Sequence, residues 1–180
     1  MIIREFEGHP ASWYEKGVTL TTSVVRRPFL KAQESQVKAS QYVNGVLAYL
    51  DRGNSKDHEL IFLDTNLQVA EGTVSNIFAV GHPKRLLTPP ASSGILRGVT
   101  RGFVMMLAKK AGMDVEETPL TRHDLYNAAE CFMTNTSSEI LPVVCMDGRK
   151  VGNGKPGHIS KRLLREFRKI TNDQTGVFLT

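Results

Sequence analysis

Short β-branched runs alternate with stretches of helical period along this chain. A sequence with that alternation has to build a sheet and pack helices on it, so the expected class is α/β. Residues 18–25 are mostly β-branched and sit between Gly17 and Pro28, which reads as a strand. After a loop at 29–37, residues 38–51 have helical spacing. There Tyr42, Val46 and Leu50 form one stripe with Val43 and Leu47 beside it, and Gly53-Asn54-Ser55 ends the helix. Short strands follow at 59–64, 68–70, 76–80 and 85–88, with a hairpin turn at Thr65-Asn66 and a second turn at 81–84. Residues 89–93 read as a loop. Residues 98–111 are the best helix in the chain, and Gly112 is placed to end it as a C′ residue. A short strand at 115–117 precedes a capping box that opens at Thr121 and closes at Asp124. Residues 131–134 and 142–146 are strands, with a turn at Asp147-Gly148.

The 180 residues suit one globular domain with a real core, and a hydrophobic content of 41% argues against disorder. No apolar run has the length of a bilayer span, and the first residues lack a signal pattern, so the expected compartment is the cytoplasm. Cys131 and Cys145 each lie in apolar stretches and read as small buried hydrophobes. The five histidines show no ligand spacing, so no metal site is expected. Much of the formal charge of +5 lies near the C-terminus. There Ile159, Leu163, Leu164, Phe167 and Ile170 recur at helical spacing, while Lys161, Arg162, Arg165, Arg168 and Lys169 fill the other face. This reads as an amphipathic helix with a solvated basic side. Nucleic-acid binding is the sharper alternative, but no binding motif or interleaved aromatic accompanies the charge.

Four places could carry chemistry. Lys38 opens a helix among apolar neighbours: an ordinary lysine there snorkels to water, whereas a buried one has the lowered pKa that suits imine formation. Glu71-Gly72 lies between two strands, where a carboxylate is either exposed or a partner for a protonated ring nitrogen. The run from Ser92 to Thr100 leads into a helix N-terminus, whose free amides make a ready phosphate site. The bland reading of that run is a Gly-rich loop with Thr100 as the cap. Thr134-Asn135-Thr136-Ser137-Ser138 ends a strand and offers either further phosphate donors or a hydrogen-bonded turn.

Their order is more specific than any one of them. A Lys with Tyr four residues on, Glu71-Gly72-x-x-Ser75-Asn76, Gly94-Ile95-Leu96-x-Gly98-Val99-Thr100-Arg101, and Thr134-Asn135-Thr136-Ser137-Ser138-Glu139-Ile140-x-Pro142-Val143 form one long joint pattern. It resembles the class IV aminotransferases, which include branched-chain aminotransferases, D-amino acid aminotransferases and 4-amino-4-deoxychorismate lyases. The resemblance runs from about Thr19 to about Ile170, including Asp147-Gly148-Arg149-Lys150 and the basic helix.

That resemblance implies a barrel-like α/β large domain and pyridoxal 5′-phosphate as cofactor. It implies that Lys38 holds the cofactor as a Schiff base and moves the proton between the substrate α-carbon and the cofactor C4′. Tyr42 matches the tyrosine that bonds the phenolic oxygen, and Glu71 the carboxylate beside the pyridine nitrogen. Leu96 matches the side chain packed on the ring. Val99 and Thr100 match the phosphate-binding helix start, and Thr136, with Asn135 beside it, the second phosphate group. The implied division is 1–17 as a remnant of an interdomain segment, 18–172 as the cofactor-binding domain and 173–180 as a tail.

The family's smaller domain, which supplies a phosphate-binding arginine and much of the substrate pocket, does not fit in the 37 residues ahead of Lys38. A fragment, a truncated product or half of a split enzyme is therefore expected, with that domain as a partner in cis or in trans and a homodimer in the intact enzyme. Arg26 and Arg27 match family residues just ahead of the lysine segment and are not the missing arginine. The expected substrates are a branched-chain or similar amino acid and a 2-oxo acid. The alternatives are elimination of pyruvate from aminodeoxychorismate and a non-catalytic fragment that only binds cofactor or a partner domain.

Overall fold

The computed structural model describes residues 8–28, 42–52 and 57–172. In chain order the elements are α1 (Ala11–Lys16), β1 (Val18–Arg26), α2 (Val43–Asp51), β2 (Glu59–Leu63), β3 (Val69–Gly72), β4 (Asn76–Gly81) and β5 (Arg85–Thr88). A single 3-10 turn, Ala91–Ser93, follows. Then come α3 (Val99–Lys110), β6 (Asp114–Glu117), α4 (Arg122–Tyr126), β7 (Glu130–Asn135), β8 (Glu139–Met146), β9 (Arg149–Lys150) and α5 (His158–Asn172).

The nine strands of the described residues join one mixed sheet in the order β3-β2-β1-β8-β7-β4-β5-β6, with β9 beside β8. The sheet curls as an open half-barrel, the α/β architecture expected. β1 runs parallel to both its neighbours, β2 and β8, while β4, β7 and β8 form antiparallel pairs.

The apolar runs are continuous because the sheet is covered on both faces. In β2, Ile61 and Leu63 join one core cluster with Val18, Leu20, Met133 and Val143, while Leu60 and Phe62 join another with Ala48, Ala70 and Ile95. β4 divides in the same way: Ile77 and Ala79 face the first cluster, Phe78 and Val80 a further one built with α3 and α5. Phe78 and Phe132 are register partners on β4 and β7, and their rings stack with centroids 5.0 Å apart.

Helix ends follow local chemistry. Gly112 takes φ +77°, the left-handed conformation that a helix C′ position needs. Thr121 accepts from the Asp124 amide, and the Asp124 carboxylate accepts from the Thr121 amide at 2.7 Å, the reciprocal box expected. α5 puts Ile159, Leu163 and Leu164 into the core. Its first turn is held by the buried Glu130, which accepts from the Ile159 and Ser160 amides at 2.9 Å each and from the Ser160 hydroxyl at 3.1 Å.

Several elements differ from expectation. Residues 89–93 include the 3-10 turn. β8 begins at Glu139 rather than at 142, because Glu139 already pairs with Asn135 across a tight turn. Helix α1 carries no sequence signal of its own, yet its Trp13 and Tyr14 pack on the core. Of the helix expected at 38–51, residues 38–41 lie outside the described residues, as do the loop at 29–37 and its terminator at 53–55. Among the described residues no helix is long and apolar enough to cross a membrane.

Candidate active site

Glu71 is the centre of the site. It sits on β3 and is 4% exposed. Three donors meet its carboxylate. The Arg27 guanidinium donates to Oε1 through Nη2 as an ion pair. Oε2 accepts from the Leu96 amide at 3.0 Å and from Asn76 Nδ2 at 3.1 Å. Asn76 Nδ2 also donates to the Leu96 carbonyl at 2.9 Å, so one amide ties the carboxylate to the loop ahead of α3. Burial pushes the carboxyl up to about 7, although the Arg27 charge and the Leu96 amide pull it the other way. A carboxyl so placed can change its protonation near neutral pH.

The N-terminus of α3 lies next to this cradle. Its N-cap is Gly98, with no side-chain cap, so Thr100 does not cap the helix, and among the described residues the first amides have no side-chain acceptor. A methyl on Gly98 would collide with Asn76 Oδ1, which shows how closely the helix start approaches. Thr100 is buried in the first turn, while Val99 is almost fully exposed. Arg101 donates to the Pro89 carbonyl at 2.9 Å and pairs with Glu117, fixing the helix to the sheet.

The second group approaches through the sheet. Asn76 pairs with Thr134 across β4 and β7, and Asn135 and Thr136 follow at once. Thr134 Oγ1 is buried and has no hydrogen-bond partner among the described residues. Asn135 Oδ1 accepts from the Ser138 amide at 2.5 Å and the Ser137 hydroxyl at 3.1 Å, making the hydrogen-bonded turn, while Thr136 stays exposed.

Leu96 is partly buried, and its backbone touches Glu71 as described. Tyr42 is half exposed, and its carbonyl accepts from Val46 at the start of α2. Lys38 lies outside the described residues. Arg27 and Asn76 were not singled out from sequence as Glu71 partners. Arg27 stands 44 positions from Glu71, and no local pattern reports a pair that distant.

A phosphorylated aromatic cofactor fits this donor set. A buried carboxylate suits a ring nitrogen, and uncapped amides with a buried orphan hydroxyl in the neighbouring strand suit a phosphate.

The sequence matches the family model described as Amino-transferase class IV over residues 1–145. It is 42% identical over 156 residues to a Methanocaldococcus jannaschii protein assigned as a branched-chain-amino-acid aminotransferase, covering 87% of this chain and 54% of that one. It is 35% identical over 162 residues to the Escherichia coli branched-chain-amino-acid aminotransferase, covering 89% and 52%. The solved Escherichia coli enzyme superposes with a TM-score of 0.84 at 34% identity, over 93% of this chain and 56% of that one. The Thermobaculum terrenum branched-chain amino acid aminotransferase, solved in its PLP-form, gives 0.80 at 32% identity, over 85% and 50%. The chain thus spans about half the length of these relatives. The order of the motifs, the half-barrel sheet and these matches agree: the chain belongs to the class IV aminotransferase family.

Proposed function

We propose that this chain is the cofactor-carrying part of a pyridoxal 5′-phosphate-dependent aminotransferase. Its reaction moves the amino group of a branched-chain or similar amino acid to a 2-oxo acid. The observation that carries the reading is the buried, three-donor Glu71 carboxylate beside the uncapped start of α3. The cofactor, when bound, supplies an electron sink for the substrate carbanion.

The chain's residues supply the rest. Lys38 holds the cofactor covalently and moves a proton to and from the substrate α-carbon; this role rests on the family pattern. Glu71 keeps a proton on the pyridine nitrogen. The amides of Val99 and Thr100, the Thr100 hydroxyl and the Asn135-Thr136 turn hold the phosphate. Leu96 packs on the ring and Tyr42 bonds its phenolic oxygen.

The rest of the substrate pocket belongs to a further domain or subunit, and the intact enzyme is a homodimer. The exposed apolar side chains of α2, Val43, Val46, Leu47 and Leu50, support such a partner surface.

Incubation with pyridoxal 5′-phosphate, borohydride reduction and peptide mapping test the reading. A single adduct on Lys38 supports it, and no adduct, or scattered adducts on several lysines, counts against it. Assays with branched-chain donors and with aminodeoxychorismate then separate the transferase from the lyase.

A further inference from the structure

The buried ion pair beside the start of α3 joins Glu71 to Arg27, a residue for which the sequence pattern named no role. We propose that Arg27 is a positioning residue that fixes the Glu71 carboxylate in orientation and favours its ionised form against the effect of burial, and that Asn76 and the Leu96 amide complete a cradle built to keep one oxygen pair in place. The inference rests on the reading of Glu71 as the partner of a ring nitrogen.

Arg27 is itself held on several sides. It follows directly on β1, where its amide donates to the Leu63 carbonyl of β2 at 2.9 Å. Its guanidinium carbon lies 5.1 Å from the centre of the Phe62 ring. Side-chain exposure is 14% for Arg27 and 5% for Glu71, so water screens the pair little. Arg27 Nε is buried without a hydrogen-bond partner among the described residues. The guanidinium thus gives up hydration, and among the described residues Glu71 is the one carboxylate it pairs with.

The other described charges around Glu71 do not replace it. Arg101, on α3, is spent on Glu117, Pro89 and Thr88 and acts on Glu71 only as a more distant charge. Glu59, on β2, lies against Gly72, and side chains of adjacent strand residues point to opposite faces. Its own carboxylate is occupied by Thr73 Oγ1 at 2.6 Å and the Leu60 amide at 2.9 Å. Asn76 and Leu96 contribute dipoles but no charge.

This assignment has a chemical consequence. A carboxylate presents about four lone-pair directions, and three are taken by Arg27, Asn76 and Leu96. No other described residue takes the fourth, which suits a further donor such as a protonated ring nitrogen. Arg27 provides the positive charge that shifts the balance at that position from a neutral acid toward an acceptor in a dry site.

The test is a carbon-13 titration of the Glu71 carboxyl in the full chain, with no cofactor added. The wild-type midpoint is expected near the value of about 7 set by burial. In Arg27→Gln it is expected to rise by about one unit or more, the usual effect of losing a close opposite charge. Arg27→Met serves in its place if the glutamine variant does not fold, since the methionine can still cover Phe62. Arg27→Lys, which keeps the charge without the fork, is expected to restore most of the shift. A merely structural role for Arg27 would lower stability without moving the midpoint, and a midpoint unchanged within about 0.3 unit in a folded charge-removing variant overturns the inference. Because the measurement needs no cofactor, it stays separate from the reading it deepens. A raised midpoint together with no adduct on Lys38 would keep the Arg27 assignment and remove the cofactor.

Discussion

Replacing Glu71 by glutamine should make the chain's stability less dependent on pH. The carboxyl is pushed by burial from its ordinary value of 4.5 up to about 7, so the folded state holds the proton more tightly than the unfolded chain does. The stabilisation from this group is therefore fully present below 4.5, is lost as the pH climbs to about 7, and is level above that. At about 1.4 kcal/mol for each pH unit, the loss across the window is roughly 3 kcal/mol. Glutamine has nearly the same shape and does not titrate. The stability difference between wild type and Glu71→Gln should thus shift by roughly 3 kcal/mol against the wild type between pH 4 and pH 8. Other titrating groups act in both proteins and cancel in the difference. Urea denaturation followed by circular dichroism at half-unit steps measures it. Curves that run parallel across the window would show that Glu71 has the same proton affinity folded and unfolded, and the argument from its burial would be refuted.

Other substitutions test other parts of the structure. Lys38→Ala should abolish the borohydride-fixed cofactor adduct, as read by mass spectrometry. Glu130→Ala removes three hydrogen bonds from the start of α5 and should cost about 2–4 kcal/mol in urea denaturation, since a buried charged acceptor leaves its donors unpaired. Phe132→Ala empties a fully buried site stacked on Phe78 and should cost about 3–5 kcal/mol. Gly98→Ala drives a methyl into Asn76, which is held at both Glu71 and Leu96, and should weaken cofactor binding measured by absorbance titration more than it lowers stability.

The locally coded features were legible in the residue order. The β-branched run that became β1, the Thr121 box and the C′ role of Gly112 each depend on a few adjacent residues whose conformational preferences agree. Helix α1 was not legible, because it is six residues long with no side-chain cap and is stabilised instead by Trp13 and Tyr14 against distant strands. The same applies at the site. Glu71, Thr100 and Thr136 stand in motifs that a family pattern picks out, and Glu71 alone gave only a weak signal. That Arg27 would reach Glu71 follows from β2 lying between β1 and β3, pairings made in space and not in the chain. The uncapped start of α3 was not legible either, since by residue type Thr100 could have served as its cap.

The position of β1 also constrains the order in which this domain can form. Val18 pairs with Val143 and Leu20 with Met146, so β1 waits for a strand made more than a hundred residues later. Until β8 emerges, one edge of β1 has no neighbour in the sheet, although its other side can already meet β2. Contacts so far apart in sequence slow folding, because a large loop must close before they return any free energy. The Thr22 amide and hydroxyl, each 2.6 Å from the Asp147 carboxylate, fasten the same closure. During synthesis the Arg27 arm of the Glu71 cradle therefore hangs on a half-bordered strand, and the site acquires its final rigidity only when nearly the whole domain has been made.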